Sequence, residues 1–404
     1  MDSIEKKFLK LGAENAPGQE GRQNNDEIKL SGNKIPGKKV DFSHGDVDAF
    51  EPIPGSLDHF IEGVQIGGKQ AYTEYRGSEE IREMTAEKLA DFTSSKINPE
   101  KNLIITPGTQ GALFLAMGST ISRNDKVAIV VPDYFANRKL VEFFEGEVVY
   151  ISMNYLHSTS CAGLDLEQLE EAFKAGVKLF LFSNPNNPAG VIYSPDEIRK
   201  IAELAQSYGV QVVVDQLYSR QVFDGINYTH LAAQNILDSE NLVTIMGPSK
   251  TESLSGYRLG VAFGSSKIIN RMEKLQAIVS LRAGGYNQAV LKSWFHEPEG
   301  WMAQRIAQHQ AIRDDLVAKL RSIKGVKVRS TEAGSYLFPR VPELTVSMEE
   351  FIKILRIQAN VIVTPGTEFG PEFTSSFRMN FSQDHSAAVE AIDRIKKVVE
   401  EYRK

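Results

Sequence analysis

The sequence predicts an α/β protein: a large domain on a mainly parallel sheet, followed by a small C-terminal α+β domain. Two patterns lead there. Between Lys126 and Gly264, short apolar runs alternate with amphipathic helical stretches, as expected of parallel strands covered by helices on both faces. Beyond about Gln304 the order changes to a long helix, short strands and two further helices, which suits a second, smaller unit. The 404 residues suffice for both.

Taken in order, the first forty or so residues are rich in Gly, Asn, Gln, Pro and Lys and show neither period. Residues 1–50 therefore read as an arm lying on another part of the protein. A helix starts after Ser78, an N-cap followed by Glu79 and Glu80, with Ile81, Met84, Leu89 and Phe92 as its apolar positions. Strands are expected at 127–131, 148–152, 179–182, 210–214, 242–245 and 259–263, with helices near 136–144, 166–175 and 195–208. A helix at 304–322, strands at 326–329 and 335–340, a helix at 348–358, strands at 361–363 and 377–381, and a helix at 386–402 follow. The domain limits are then 51–295 for the large part and 296–404 for the small one.

Composition narrows the function. The net charge of −6 is modest and both signs are interspersed, so no nucleic-acid or membrane partner is expected. Met1 to Lys10 mixes charges without an apolar core, and no run is long enough to span a membrane; a cytoplasmic protein is expected. The single cysteine, Cys161, excludes an internal disulfide and a cysteine-rich metal site, and is expected to be a bystander. The ligand should be a small molecule.

The segment Ser249-Lys250-Thr251-Glu252-Ser253-Leu254-Ser255-Gly256-Tyr257-Arg258 sets a lysine just after a strand and an arginine in the following Gly/Ser-rich turn. An amine and a guanidinium so placed suit an aldehyde bearing a phosphate: Lys250 forms an imine and Arg258 pairs with phosphate oxygens. Alone, this would equally describe a surface loop. Upstream, Val212-Val213-Val214-Asp215 puts a carboxylate at the carboxyl end of a buried strand, where open α/β sheets bind ligands. Burial there calls for a cationic partner, and the ring nitrogen of pyridoxal 5′-phosphate (PLP) is one; Tyr218 would reach the ring hydroxyl. Between them in logic, though earlier in the chain, Ser183-Asn184-Pro185-Asn186-Asn187-Pro188-Ala189-Gly190 follows a strand directly. Its residues are also ordinary turn formers.

These three segments, in this order and spacing, resemble the class I/II aminotransferases, the fold-type I PLP enzymes, over about Asp41 to the C-terminus. The resemblance implies a seven-stranded type of sheet, PLP as cofactor and a homodimer. It implies cofactor contacts from Thr109 and Gln110 at a helix start, a stacking ring from Tyr134, Asn187 at the ring hydroxyl, and further contacts from Ser249. It also implies that Lys250 is the general base, that Arg378 clamps the substrate carboxylate, and that Tyr72 reaches the neighbouring subunit's phosphate. One departure is Gly247, where many relatives carry serine; phosphate contacts should then rest more on Thr109, Ser249 and Arg258.

Within that family, the stretches 132–139 and 249–253 resemble the small group of PLP- and O2-dependent arginine oxidases, hydroxylases and dehydrogenases of natural-product pathways. This implies that L-arginine is oxidised through a quinonoid that reacts with O2. Glu20, Asp46 and Asp48 in the arm would receive the guanidinium, and His44 joins the catalytic candidates; all four are equally readable as solvated or packing residues. The alternative is a conventional aminotransferase with a 2-keto acid acceptor. A catalytically silent PLP-fold regulator is the remote third reading, disfavoured by the presence of Lys250, Asp215 and Arg378 together and the lack of a basic helix-turn-helix segment.

Overall fold

The structure is a computed structural model in which residues 3–12, 30, 32–45, 49–158 and 160–404 are described. Among them the strands are, in chain order, β1 (Val40–Asp41), β2 (Leu103–Pro107), β3 (Lys126–Val131), β4 (Glu147–Ser152), β5 (Leu179–Ser183) and β6 (Gln211–Asp215). There follow β7 (Leu242–Met246), β8 (Leu259–Gly264), β9 (Tyr336–Leu337), β10 (Val361–Ile362), β11 (Thr364–Pro365) and β12 (Phe377–Asn380).

Seven of these form one sheet in the order β2-β8-β7-β6-β5-β3-β4. Strands β3 to β7 pair in parallel, and β8 runs antiparallel to both its neighbours. The edge strand β2 escaped the sequence reading, because Leu103–Pro107 runs straight into the helix Gly108–Thr120 with no polar residue between them. The strand period of two sorts side chains onto two faces. Val127, Ile129, Leu179, Leu181 and Val213 join a core with the helices Gly108–Thr120 and Ser266–Val279. Ala128, Val130, Phe180, Phe182, Val212 and Val214 join another with Leu166–Lys174 and Pro195–Tyr208. Both faces are therefore apolar, which is why Val127–Val131 of β3 and Leu179–Phe182 of β5 read as unbroken hydrophobic runs.

A separate core gathers Val40, Phe42 and Phe50 with residues from Ile312 to Tyr402. Here β1 pairs in parallel with β10, Val40 opposite Val361, and β11-β12-β9 form an antiparallel sheet. The strand expected at 326–329 shrinks to one bridge, Lys327 opposite Arg340. The chain leaves the ladder because Arg329 turns aside to Glu332 at 2.7 Å and to the Tyr155 carbonyl at 2.8 Å. Nor is the arm irregular throughout. Ser3–Leu11 is a helix against Phe135–Phe143, with the Lys7 ammonium 4.3 Å from the Phe143 ring centre and Lys139 donating to the Gly12 carbonyl at 2.7 Å. No helix among the described residues is long and apolar enough to cross a membrane.

One buried carboxylate pins the helix Pro195–Tyr208 under the sheet. Ser194 caps it, accepting the Glu197 N–H, while Glu197 accepts the N–H groups of Ser194, Ala162, Gly163 and Leu164 at 2.7–3.0 Å. Glu197→Ala would strand those donors away from water and lower stability by about 2–4 kcal/mol. Urea unfolding should show the drop; an unchanged midpoint would mean that water replaces the carboxylate.

Candidate active site

At the carboxyl edge of the sheet, β2, β3, β5, β6 and β7 each end in a turn that faces one cavity of about 210 Å³. The turns bring Thr109 and Gln110, then Tyr134, Asn187, Asp215 and Tyr218, then Ser249, Lys250 and Arg258 to its walls, and β12 adds Arg378. His44 lines it as well. A second space of about 500 Å³ adjoins it across His44, Ser249, Lys250 and Ser255. Such convergence follows from topology, since parallel strands end together on one side.

Charge in the cavity is arranged for an anionic, cationic-centred guest. No hydrogen bond or ion pair with a described residue engages the Lys250 ammonium. Asp215 accepts the Leu217 N–H at 3.0 Å but has no cationic partner among the described residues, and burial pushes its pKa up to about 6. Arg378, 3% exposed, donates to Asn187 Oδ1 at 3.1 Å and to the Ser43 carbonyl at 2.9 Å. Its guanidinium lies 4.5 Å from the Tyr336 ring centre and 4.7 Å from that of Phe369, where the two aromatic rings attract the cation and fix its place. Its Nε is buried without a hydrogen bond, so the cation has binding capacity to spare.

Arg258 closes the opposite end. It occupies the left-handed region at φ 53° and donates to the Ser255 carbonyl at 2.9 Å. Its Nη2 passes so close to Gly108 that a Cβ there would meet it at 2.6 Å. Gly108, at φ 76°, opens the helix Gly108–Thr120, whose first N–H groups favour an anion. Gly247 has a physical reason too: a Cβ at this position would lie 2.8 Å from Thr109 Cγ2 and 3.1 Å from the Leu259 carbonyl. The Thr109 methyl fills the space that a serine side chain would need. The Ser249 hydroxyl turns to the Leu259 carbonyl at 3.4 Å.

The aromatic residues are tied to partners. Tyr134 donates to Gln110 Oε1 at 2.9 Å, so Gln110 orients the ring. The Tyr218 hydroxyl donates to that of Tyr336 at 2.7 Å. Burial raises the Tyr336 pKa, but the charges of Arg378 and Lys250 and the bond from Tyr218 outweigh it and bring it below the ordinary tyrosine value. Tyr336 and Phe369 were not singled out from the sequence, because nothing in a short strand or a loop marks an aromatic as a wall for an arginine. Asp133 was read only as part of the Tyr134 motif. It accepts Ser183 N–H at 2.9 Å, Tyr134 N–H at 2.7 Å and the Ser183 hydroxyl, locking the ends of β3 and β5 together.

Other candidates separate. Tyr72 is 83% exposed and outside the cavity. His44 is an exposed wall residue whose Nδ1 lies 3.2 Å from the Ser43 hydroxyl and 3.7 Å from Asp41 Oδ1. Glu20, Asp46 and Asp48 lie outside the described residues.

Residues 38–395 match the family model described as aminotransferase class I and II. The aspartate aminotransferase of Sulfolobus acidocaldarius is 29% identical over 376 residues, 90% of each chain. That of Bacillus subtilis is 26% identical over 386 residues, 93% of this chain and 94% of the relative. The solved structure of an aspartate aminotransferase from Rhodobacter sphaeroides is 62% identical, covers 100% of both chains and superposes with a TM-score of 0.95. These findings overturn the expectation of O2-dependent arginine oxidation, since all three are named aminotransferases. The geometry gives the physical reason for the error. In the stretches that suggested it, Asp133 bonds Ser183, Lys139 pairs with Glu368 at 2.8 Å, and Glu252 pairs with Arg220, so these three charges are engaged within the protein. The unpaired Lys250 amine, the buried Asp215 carboxylate and the cradle beneath Arg258 fit an aldehyde that carries a phosphate and a ring nitrogen. The chain belongs to the class I and II aminotransferase family, and with it to the fold-type I, PLP-dependent enzymes.

Proposed function

We propose that this protein is a conventional aminotransferase, which moves the amino group of a free L-amino acid to a 2-keto acid acceptor. The observation that carries the reading is the one cavity in which a lysine amine and a carboxylate, each without an oppositely charged partner among the described residues, and two arginines face one another. PLP, when bound, supplies an aldehyde for the amino group and an electron-withdrawing ring.

The residues would divide the work as follows. Lys250 would hold the cofactor and serve as the base that takes and returns the proton at the substrate Cα. Asp215 would keep the ring nitrogen protonated, and a cation there would offset the burial that raises the Asp215 pKa. Tyr134, steadied by Gln110, would stack on the cofactor, while Asn187 and Tyr218, bonded to Tyr336, would hold its ring hydroxyl. Thr109, Ser249, Arg258 and the first turn of Gly108–Thr120 hold the phosphate. Arg378, already set by Asn187, Ser43 and two aromatic rings, clamps the α-carboxylate through its fork. His44 contributes to the mouth of the cavity.

A homodimer belongs to the same reading. Leu57, Ile61, Val64, Ile66, Tyr72, Tyr75, Ile278, Val279 and Leu281 are exposed, and Arg282 lies over both Tyr72 and Tyr75 at 5.4 and 5.5 Å. An apolar face of this kind calls for a partner, and Tyr72 is then free to reach the neighbouring site. A cytoplasmic setting and the division into an arm of 1–50, a domain of 51–295 and a domain of 296–404 complete the proposal.

The test is amino transfer by the PLP-loaded protein from a panel of L-amino acids, with and without a 2-keto acid. Amino product should form only with the acceptor present and match the donor consumed; turnover that ignores the acceptor would refute the proposal. Lys250→Ala should abolish both transfer and the cofactor's visible absorbance. Asp215→Asn should retain the cofactor but slow transfer by about 100-fold or more, the usual scale for losing one preorganised charge; wild-type rates would remove Asp215 from the mechanism. Arg378→Lys keeps the charge and loses the fork, and should lower kcat/KM by about 10- to 100-fold for every amino acid alike. A loss confined to some side chains would reassign it to side-chain recognition.

A further inference from the structure

We infer that Arg220, Glu252 and Glu297 form a buried clamp that sets the position of Lys250, with Arg220 and Glu252 as positioning residues for the amino transfer proposed above, on which this inference rests. Arg220 lies two residues past Tyr218 and five past Asp215; Glu252 lies two past Lys250. The Arg220 fork bonds both carboxylates, Glu252 through one nitrogen and Glu297 at 2.5 Å through the other. Its flat face stacks 3.9 Å from the Phe295 ring centre. The side chains of Arg220 and Glu252 are 9% and 0% exposed, and that of Glu297 17%. Water does not compete for these bonds.

No hydrogen bond or ion pair with a described residue holds the Lys250 amine, so among the described residues its place depends on the main chain that carries it. That turn is fastened at several points beyond the lysine. Ser253 N–H donates to the Lys250 carbonyl at 3.2 Å, and Leu254 N–H to the Pro248 carbonyl at 3.2 Å. The Glu252 carbonyl accepts the Ile53 N–H at 2.9 Å, and the Ser253 hydroxyl accepts from Arg305 at 2.8 Å. Of these fastenings, Glu252 alone reaches the segment that carries Asp215 and Tyr218, through Arg220. One guanidinium thus references the amine and the ring-nitrogen carboxylate to each other.

A buried ion cluster is a weak source of stability. Two carboxylates bond one guanidinium, with Lys88 near Glu297 and Arg305 near Glu252, and Glu252 Oε2 and Glu297 Oε2 are buried without hydrogen bonds to described residues. Burial pushes the Glu252 pKa up to about 7. Apolar side chains of the same volume generally hold a buried seam at least as well as ions; what an arginine fork adds is a fixed angle between the segments it joins.

The experiment compares PLP-loaded wild type with Glu252→Gln, Arg220→Met and Arg220→Lys, reading kcat and KM for the amino donor, visible circular dichroism of the bound cofactor, and thermal unfolding. Glu252→Gln and Arg220→Met should lower kcat by about 10- to 100-fold, the scale of a displacement near 1 Å. KM should change less than about threefold and the visible dichroism should shift; Arg220→Lys should recover part of both. If Arg220→Met does not fold, Glu252→Gln decides, since it keeps shape and an acceptor. A folded Glu252→Gln enzyme with wild-type kcat and dichroism, reduced only in thermal stability, would overturn the clamp. Absence of amino transfer in the wild type would instead refute the proposed activity, while the dichroism comparison would still report on Lys250.

Discussion

Five strands end together at one edge of a sheet that is apolar on both faces, and the chemistry of this protein depends on that constraint. A strand buried on two sides cannot carry charge until its last residue, so Asp215, Ser183 and the turn after β7 are the first places where polar groups can stand. The parallel course of β3, β5, β6 and β7 puts all of those places on the same side. Helices return the chain to the opposite edge, and their amino ends, like that of Gly108–Thr120, face the same space.

Charge at such an edge is costly unless it is matched, and the protein matches some of it internally. Asp133 is satisfied by Ser183 and Tyr134, Lys139 by Glu368, and Arg220 by two glutamates. Those groups serve the framework. Asp215, Lys250, Arg258 and one edge of Arg378 are left with capacity to spare, and they line the cavity. Residue type alone does not tell the two sets apart, since both contain aspartate, lysine and arginine; Asp133 and Lys139 are engaged by partners within the protein, whereas Asp215 and Lys250 face the cavity.

Much of this was legible beforehand. The alternation of apolar runs between residues 126 and 264 follows from burial of both sheet faces, and it located the helices and six of the sheet's strands. Lys250 and Asp215 stood out because each follows or ends an apolar strand, whereas Asn187 and Arg378 were assigned only by the family resemblance. The short edge strand β2 was hidden by its fusion to a helix, and the helix Ser3–Leu11 by the Gly- and Asn-rich stretch that follows it. The arginine-oxidising expectation rested on stretches 132–139 and 249–253, which hold site residues such as Tyr134 and Lys250 together with Asp133, Lys139 and Glu252, whose partners lie far along the chain.

The amino-acid sequence by itself determined the α/β class, the apolar character of the central strands and the residue types poised at their ends, because these depend on local period and on the cost of burying charge. Tertiary structure alone decided which of those residues meet. It set Arg378 between Tyr336 and Phe369, brought Thr109 against Gly247 so that no larger residue fits there, and joined Arg220 to Glu252. Such contacts link residues as many as 138 positions apart, Thr109 to Gly247, and no local pattern encodes a distance that only the folded sheet creates.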